Sequence, residues 1–421
     1  VPLAFISAGL VAAAVGTGWL VSAPGLLLLP HVHPQVVAFA HAWLLGALLT
    51  ICCGAVYQLL PVLANTGFKG APLAWLHLAL HGAGVTLMVA GFHSAAMGLV
   101  AAGGTLVTAG FGLFAANVAG VLRRAPRVDP ILLSFALAAG WLVLTALAGL
   151  LLALDLRFGW WPVDLLALLR AHAHLGVIGF FITLLQGATF RLIPMFTLSA
   201  APDLTAVRRS LLLSQGGLLV LVPSLAWGVT MGEAAGALAL AASFILSGRE
   251  LRRLLATRRK RWLEPGLNGF LAGCLLLGVA ALGGTALVFG GADFRVALAY
   301  GLVAVFGGLL ACIEGMLCKI VPFLVWMRTY GPRVGRQPTP QATALGHAGC
   351  ERGWLRCHLA GVTLLAIGTA GGFATALLAG AVLFAAGQGL LFVSLGAAAR
   401  HVWFPVTFAP SPALSPASRL A

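Results

Sequence analysis

Charge is what this 421-residue chain has least of: 8% of its residues are Asp, Glu, Lys or Arg, and only 10 are acidic. So little polar surface could not cover a soluble core of this length, so the solvent for most of the chain is lipid. The sequence lacks a P-loop, an H-E-x-x-H pair and a glycine-rich dinucleotide fingerprint, so the chemistries these motifs support are not indicated. It lacks C-x-x-C-H, which excludes the usual covalent attachment of c-type haem. Its seven cysteines are scattered, with Cys52 and Cys53 deep in an apolar run, and suggest no disulfide framework. Cys350 and Cys357 stand beside His347 and His358, but at a spacing that matches no common zinc site.

What is present is apolar: 61% of the residues are hydrophobic. Runs of about 20 apolar residues have the length of a spanning helix. Twelve are predicted, at 2–22, 36–61, 73–92, 95–121, 131–154, 166–194, 210–229, 232–250, 266–290, 296–327, 358–377 and 378–399. The first is too long for a signal-peptide core and reads as a retained helix. A net charge of +15 invites a nucleic-acid reading, but the distribution argues against it. Most Lys and Arg follow even-numbered runs or lie in the C-terminal tail, whereas Arg157, Arg170 and Arg295 lie on the opposite side and Lys319 lies within a run. This positive-inside pattern predicts a multi-pass protein of the cytoplasmic membrane with both termini in the cytoplasm, lipid as its solvent and no nucleic-acid partner. The densest basic stretch, 249–261, reads as an orientation signal touching anionic lipid. A Pro/Gly-rich cytoplasmic loop is expected at 328–357.

Three segments read as copies of one another: 54–61, 187–194 and 315–322. Each begins with Gly (Gly54, Gly187, Gly315) and ends seven residues later with Pro (Pro61, Pro194, Pro322). Each has a long polar side chain three residues before the Pro: Gln58, Arg191 or Lys319. The copies lie 133 and 128 residues apart, which implies three similar units of four helices, at 1–130, 131–262 and 263–421. Twenty residues before the prolines stand His41, His174 and Leu302; twenty-two before stand Phe39, His172 and Tyr300. Twenty helical residues span roughly 30 Å, so the prolines lie near one membrane face and these positions near the other. His31, His33 and His93 fall in loops on that second, outer side. Several histidines at one depth suggest a ligand set, because ionisable groups inside a membrane are costly without a role. His172 and His174 project about 200° apart around their helix, so they face different crevices.

Ala171-His172-Ala173-His174-Leu175, with Gly179 and Ile193-Pro194 beyond, resembles the H-x-H helix of haem–copper oxidase and nitric oxide reductase large subunits. His41 with Gly54-Ala55-Val56-Tyr57 and Leu60-Pro61 resembles their second helix. The resemblance implies an all-α membrane protein with twelve transmembrane helices in three pseudo-threefold arcs of four, holding haem between histidines of neighbouring arcs. The departures are as informative. Tyr300 and Leu302 stand where the tenth helix of the family has its histidines, and the sixth and seventh helices lack the histidines of an active-site copper. Oxygen reduction by the usual route is therefore not expected.

Shifting the family's haem pattern by one arc pairs His41 with His172 across one crevice and His174 with Tyr300 across the next. In the last crevice Leu302 meets Phe39, apolar on both sides. His41, His172 and His174 are thus candidate iron ligands for haem b, at one site or two; Tyr300 is a further candidate ligand, though a Tyr at a helix end is more often an interfacial anchor. The leading expectation is a membrane b-type cytochrome that transfers electrons near the outer face, with respiratory or cytochrome subunits as partners. If it is enzymatic, it is an oxidoreductase subunit. The alternatives are a nitric oxide, copper or haem handling protein, with outer copper at His31, His33 and His93, or a diverged gas reductase subunit. A haem-free histidine-bearing transporter fits less well, since its repeats would be paired.

Other residues stand out. His77 and His81 share a helix face at i, i+4 and suit packing or a haem-propionate contact. Glu314 is an intramembrane acid fit to carry protons, and Lys319 reads as a snorkelling base. Asp155, Arg157, Asp164 and Arg170 form an outer cluster that either binds propionates or pairs internally. Trp160 and Trp161 suit an interfacial belt.

Overall fold

In the computed structural model, residues 1–160, 164–291 and 293–405 are described; Trp161 and the distal basic tail lie outside them. Among these residues the chain is helical, without a strand. The long helices are α1 (Pro2–Ser22), α2 (Pro34–Leu63), α3 (Ala71–His93), α4 (Met97–Leu122), α5 (Pro130–Phe158) and α6 (Leu165–Thr197). They continue with α7 (Leu204–Trp227), α8 (Thr230–Ala256), α9 (Pro265–Gly290), α10 (Phe294–Thr329), α11 (Ala348–Gly371) and α12 (Ala374–Ala399). Eleven are long and apolar enough to cross a membrane, so this is an all-α, multi-pass membrane protein. The remaining one, α11, carries Glu351, Arg352 and Arg356 in its first turns.

Local chemistry sets the helix ends. Asp129, Asp164 and Asp203 cap α5, α6 and α7 by accepting backbone N–H groups that the first turn leaves free. Gly159, Gly228 and Gly372 close α5, α7 and α11 in the left-handed conformation. The region 328–357 is a correction: it is not one irregular loop, because α11 begins at Ala348, ten residues before the apolar run. Three early charges lower the hydropathy of a segment that is nevertheless helical, with His347 as its N-cap.

The triplicated Gly–Pro segments have a packing reason. A Cβ at Gly54, Gly187 or Gly315 would fall 2.9, 3.0 or 2.4 Å from a carbonyl oxygen of Pro2, Ile131 or Gly266, in the first turns of α1, α5 and α9. A second glycine pair recurs three times: Gly84 and Gly103, Gly217 and Gly236, Gly361 and Gly380, each nineteen residues apart. A Cβ on one member would sit within 3.0 Å of the other's carbonyl oxygen, so α3–α4, α7–α8 and α11–α12 approach closely. Lipid supplies no hydrophobic drive between helices, so association depends on such close packing at small residues. Helix α4 also packs on α5, α8 on α9, and α1 on α12.

Helices α2, α6 and α10 share a further feature. Each contains an eight-residue π-helical stretch, at Ala42–Leu49, Leu175–Ile182 and Val303–Leu310, always 19 to 12 residues before the repeated proline. In each stretch the carbonyl sixteen before the proline meets a side-chain donor. Leu45 O accepts from Thr50 Oγ1 (2.9 Å) and His81 Nε2 (3.1 Å), Ile178 O from Thr183 Oγ1 (3.2 Å) and Phe306 O from His358 Nε2 (2.9 Å). Beyond the π turns, α2, α6 and α10 enclose an apolar cavity of about 80 Å³ lined by Cys52, Phe181, Leu309 and Met316 among others.

Candidate functional site

His41 and His174 occupy the same place in their units and the same local geometry. Each directs Nδ1 at the carbonyl one turn earlier, His41 at Val37 O and His174 at Arg170 O, both at 2.8 Å. A carbonyl can only accept, so Nδ1 carries the proton and Nε2 keeps its lone pair. That is the tautomer a metal-ligating imidazole needs, with its other nitrogen oriented by a hydrogen bond. Both sit in the last α-helical turn before a π stretch.

His172 turns the other way, toward α5. A Cβ at Gly149 would lie 2.8 Å from its Cε1, so the glycine makes the room its ring occupies. Its Nδ1 is buried and makes no hydrogen bond. His41 acts electrostatically on His172. On the α2 side the His41 ring packs at 5.1 Å from Phe92 of α3. Tyr300 repeats the His172 arrangement: its hydroxyl is 3.0 Å from the Cβ position of Gly284 on α9. His174 meets the charges of Arg170 and of Glu233 in the first turn of α8.

The third crevice is filled. Phe39 stacks on Phe306 at 6.1 Å, Trp43 meets Phe306 edge-on at 4.9 Å, and Phe384 of α12 completes the cluster, with Leu302 buried beside it.

The outer loop residues are dispersed in role. His31 is within reach of the Arg170 charge; burial and that guanidinium hold its imidazole below the usual value. His33 caps α2 through Gln35 N (3.3 Å), and His93 packs on Trp19. Among the described residues no three His, Cys, Asp or Glu gather into a metal-binding group, so His31, His33 and His93 do not form one set. Asp155 lies in α5 and Asp164 caps α6, whereas Arg157 lies over Phe158, against which Trp160 stacks.

His77 and His81 are packing residues. Tyr57 O–H donates to His77 Nδ1 (2.9 Å), and His81 bonds Thr50 and the Leu45 carbonyl. Lys319 pairs with Glu264 of α9, which also holds Lys260.

One cluster was not legible in the sequence. Glu314, fully buried, accepts from Trp354 Nε1 (2.8 Å) and Gln388 Nε2 (2.6 Å), and its Oε2 lies 3.2 Å from His358 Nδ1. The missed signal is the glycine period: His358 stands three before Gly361 as His81 stands three before Gly84, which places it inside a helix.

No protein-family model matches this chain, and no curated protein matches it significantly.

Proposed function

We propose that the protein is a membrane b-type cytochrome in which His41 and His172 hold a haem between them across the crevice from α2 to α6. The observation that carries this reading is an imidazole with Nδ1 donated to its own helix and Nε2 left free, acting electrostatically on a second imidazole whose buried Nδ1 makes no hydrogen bond. Two imidazoles are donor chemistry that fits haem iron, and the missing Cβ at Gly149 leaves room for the His172 ring. Arg170, near His31 and His174 at the same end, is placed to meet an anionic propionate.

When bound, haem iron between two imidazoles supplies one-electron transfer and leaves no open coordination position. The chain's own contribution is orientation and dryness. Val37 fixes the His41 tautomer, Phe92 limits the ring's rotation, and apolar helices exclude water. His174 and Tyr300 border the next crevice and are the candidates for a second site. In this reading the twelve helices form three arcs of four, α11 also spans the bilayer, and the basic loops place both termini in the cytoplasm.

The test is the spectrum of protein purified gently in detergent, with a pyridine haemochrome and intact mass. A low-spin b-type spectrum lost in His41→Ala and His172→Ala supports the reading. A high-spin spectrum or a copper signal supports nitric oxide or copper handling instead. Absence of haem after expression with ample haem supply refutes the cytochrome.

A further inference from the structure

The cluster around Glu314 poses a problem of hydrogen counting. Phe306 O lies within the α10 π stretch, and His358 Nε2 lies 2.9 Å from it. A carbonyl accepts and never donates, so Nε2 carries a proton. If His358 were neutral, its Nδ1 would be a bare lone pair, and that atom lies 3.2 Å from Glu314 Oε2. Were Glu314 an ionised carboxylate, two acceptors would face each other in a buried site. Trp354 and Gln388 already aim their N–H groups at the two carboxyl oxygens and hold them in place. His358 and Glu314 are 0% and 3% exposed, so water does not relieve the contact.

One proton resolves the conflict, either on Nδ1, giving an imidazolium–carboxylate pair, or on the carboxyl group, giving a neutral acid beside a neutral ring. His358 Nδ1 makes no hydrogen bond, but its separation from Glu314 Oε2 is that of an ion pair. Either form is electrically neutral overall, as burial in a low-dielectric interior requires. We propose that Glu314 and His358 form a membrane-embedded binding site for a single proton, separate from the histidine crevice of α2 and α6.

The surroundings support a proton rather than a metal. The donors facing the carboxylate are an indole and an amide, neither a metal ligand in that form, and no metal-binding group of three exists among the described residues. Cys318 on α10 feels the charge of Glu314 and also that of Glu351 on α11, so these are titratable groups that face the pair. Lys319 and Glu264 of α9 lie beyond, toward the basic end, and α12 contributes the neutral Gln388. The equivalent histidine of the first unit, His81, makes the same carbonyl contact, whereas His358 also has a carboxyl group at ion-pair distance from its Nδ1.

The deciding measurement is nitrogen NMR of the intact, unsubstituted protein in bilayers with labelled histidine, His358 being assigned through its neighbour Trp354. It is combined with the infrared difference between wild type and Glu314→Gln. Two outcomes support the proposal: both His358 nitrogens protonated, or a protonated carboxylic acid band that Glu314→Gln removes. A bare Nδ1 together with an ionised Glu314 overturns it. If Glu314→Gln does not fold, the nitrogen spectrum with Glu-labelled carboxyl carbon NMR on the wild type still separates these outcomes.

Discussion

His81 on α3 and His358 on α11 stand three residues before a helix-packing glycine, and each directs Nε2 to the carbonyl sixteen before a repeated proline. Around His81 the chain places Thr50, and His77 with Tyr57 and Asn117, all neutral partners. Around His358 it places a carboxylate. The same scaffold position thus bonds a backbone carbonyl in both units and adds a buried carboxyl partner in one. The −20 positions divide the opposite way, with His41 and His174 in the first two units and Leu302 in the third. Repetition supplies the frame, and each unit holds polar chemistry at one depth more than another.

The largest expected break in this comparison is at the outer end. His41→Ala or His172→Ala abolishes the reduced haem spectrum, whereas Leu302→Ala, the matching position of the third unit, leaves it intact; retention in both histidine variants would dismiss the crevice. Within the interior, Glu314→Ala strands the N–H groups of Trp354 and Gln388 and the His358 ring. It lowers stability by about 3–5 kcal/mol, the scale for removing one partner of a buried pair. Denaturant unfolding in mixed micelles measures it, and a loss no larger than that of His81→Ala would erase the distinction between the two units.

Gly103→Ala drives a Cβ to 2.5 Å from the Gly84 carbonyl and costs about 1–3 kcal/mol by overpacking. Gly112→Ala on the same helix meets nothing and changes stability by less than about 0.5 kcal/mol. Equal melting shifts would show that the α3–α4 contact does not set the unit. The smallest effect is redundancy at the first π turn: Thr50→Ala or His81→Ala leaves Leu45 O one donor and costs about 1 kcal/mol. The double variant removes both donors, so a double-mutant cycle shows a loss greater than the sum of the singles.

The threefold period was legible because it rests on glycine and proline, whose backbone roles are visible in one dimension. Gly54, Gly187 and Gly315 are required by carbonyls of α1, α5 and α9, yet their spacing to Pro61, Pro194 and Pro322 stands in the sequence. The π stretches were not legible: Ala42–Leu49 and its counterparts are apolar throughout and carry no local marker of a widened turn. Nor was the Glu314 cluster, which joins residues 40 and 74 positions apart. Its histidine was hidden because Glu351, Arg352 and Arg356 mask the start of α11, so His358 was read as a helix edge when it is wholly interior.

The widened stretch between His41 and Thr50 is also a phase-setting device. One residue removed there shifts everything upstream by about 100° of helix rotation relative to the remainder. The imidazole of His41 would swing off its crevice while Gly54 and Pro61 kept their seats against α1. A single-codon deletion in any of the three stretches would thus uncouple the azimuth of the outer half from the anchoring half, without altering a side chain in either.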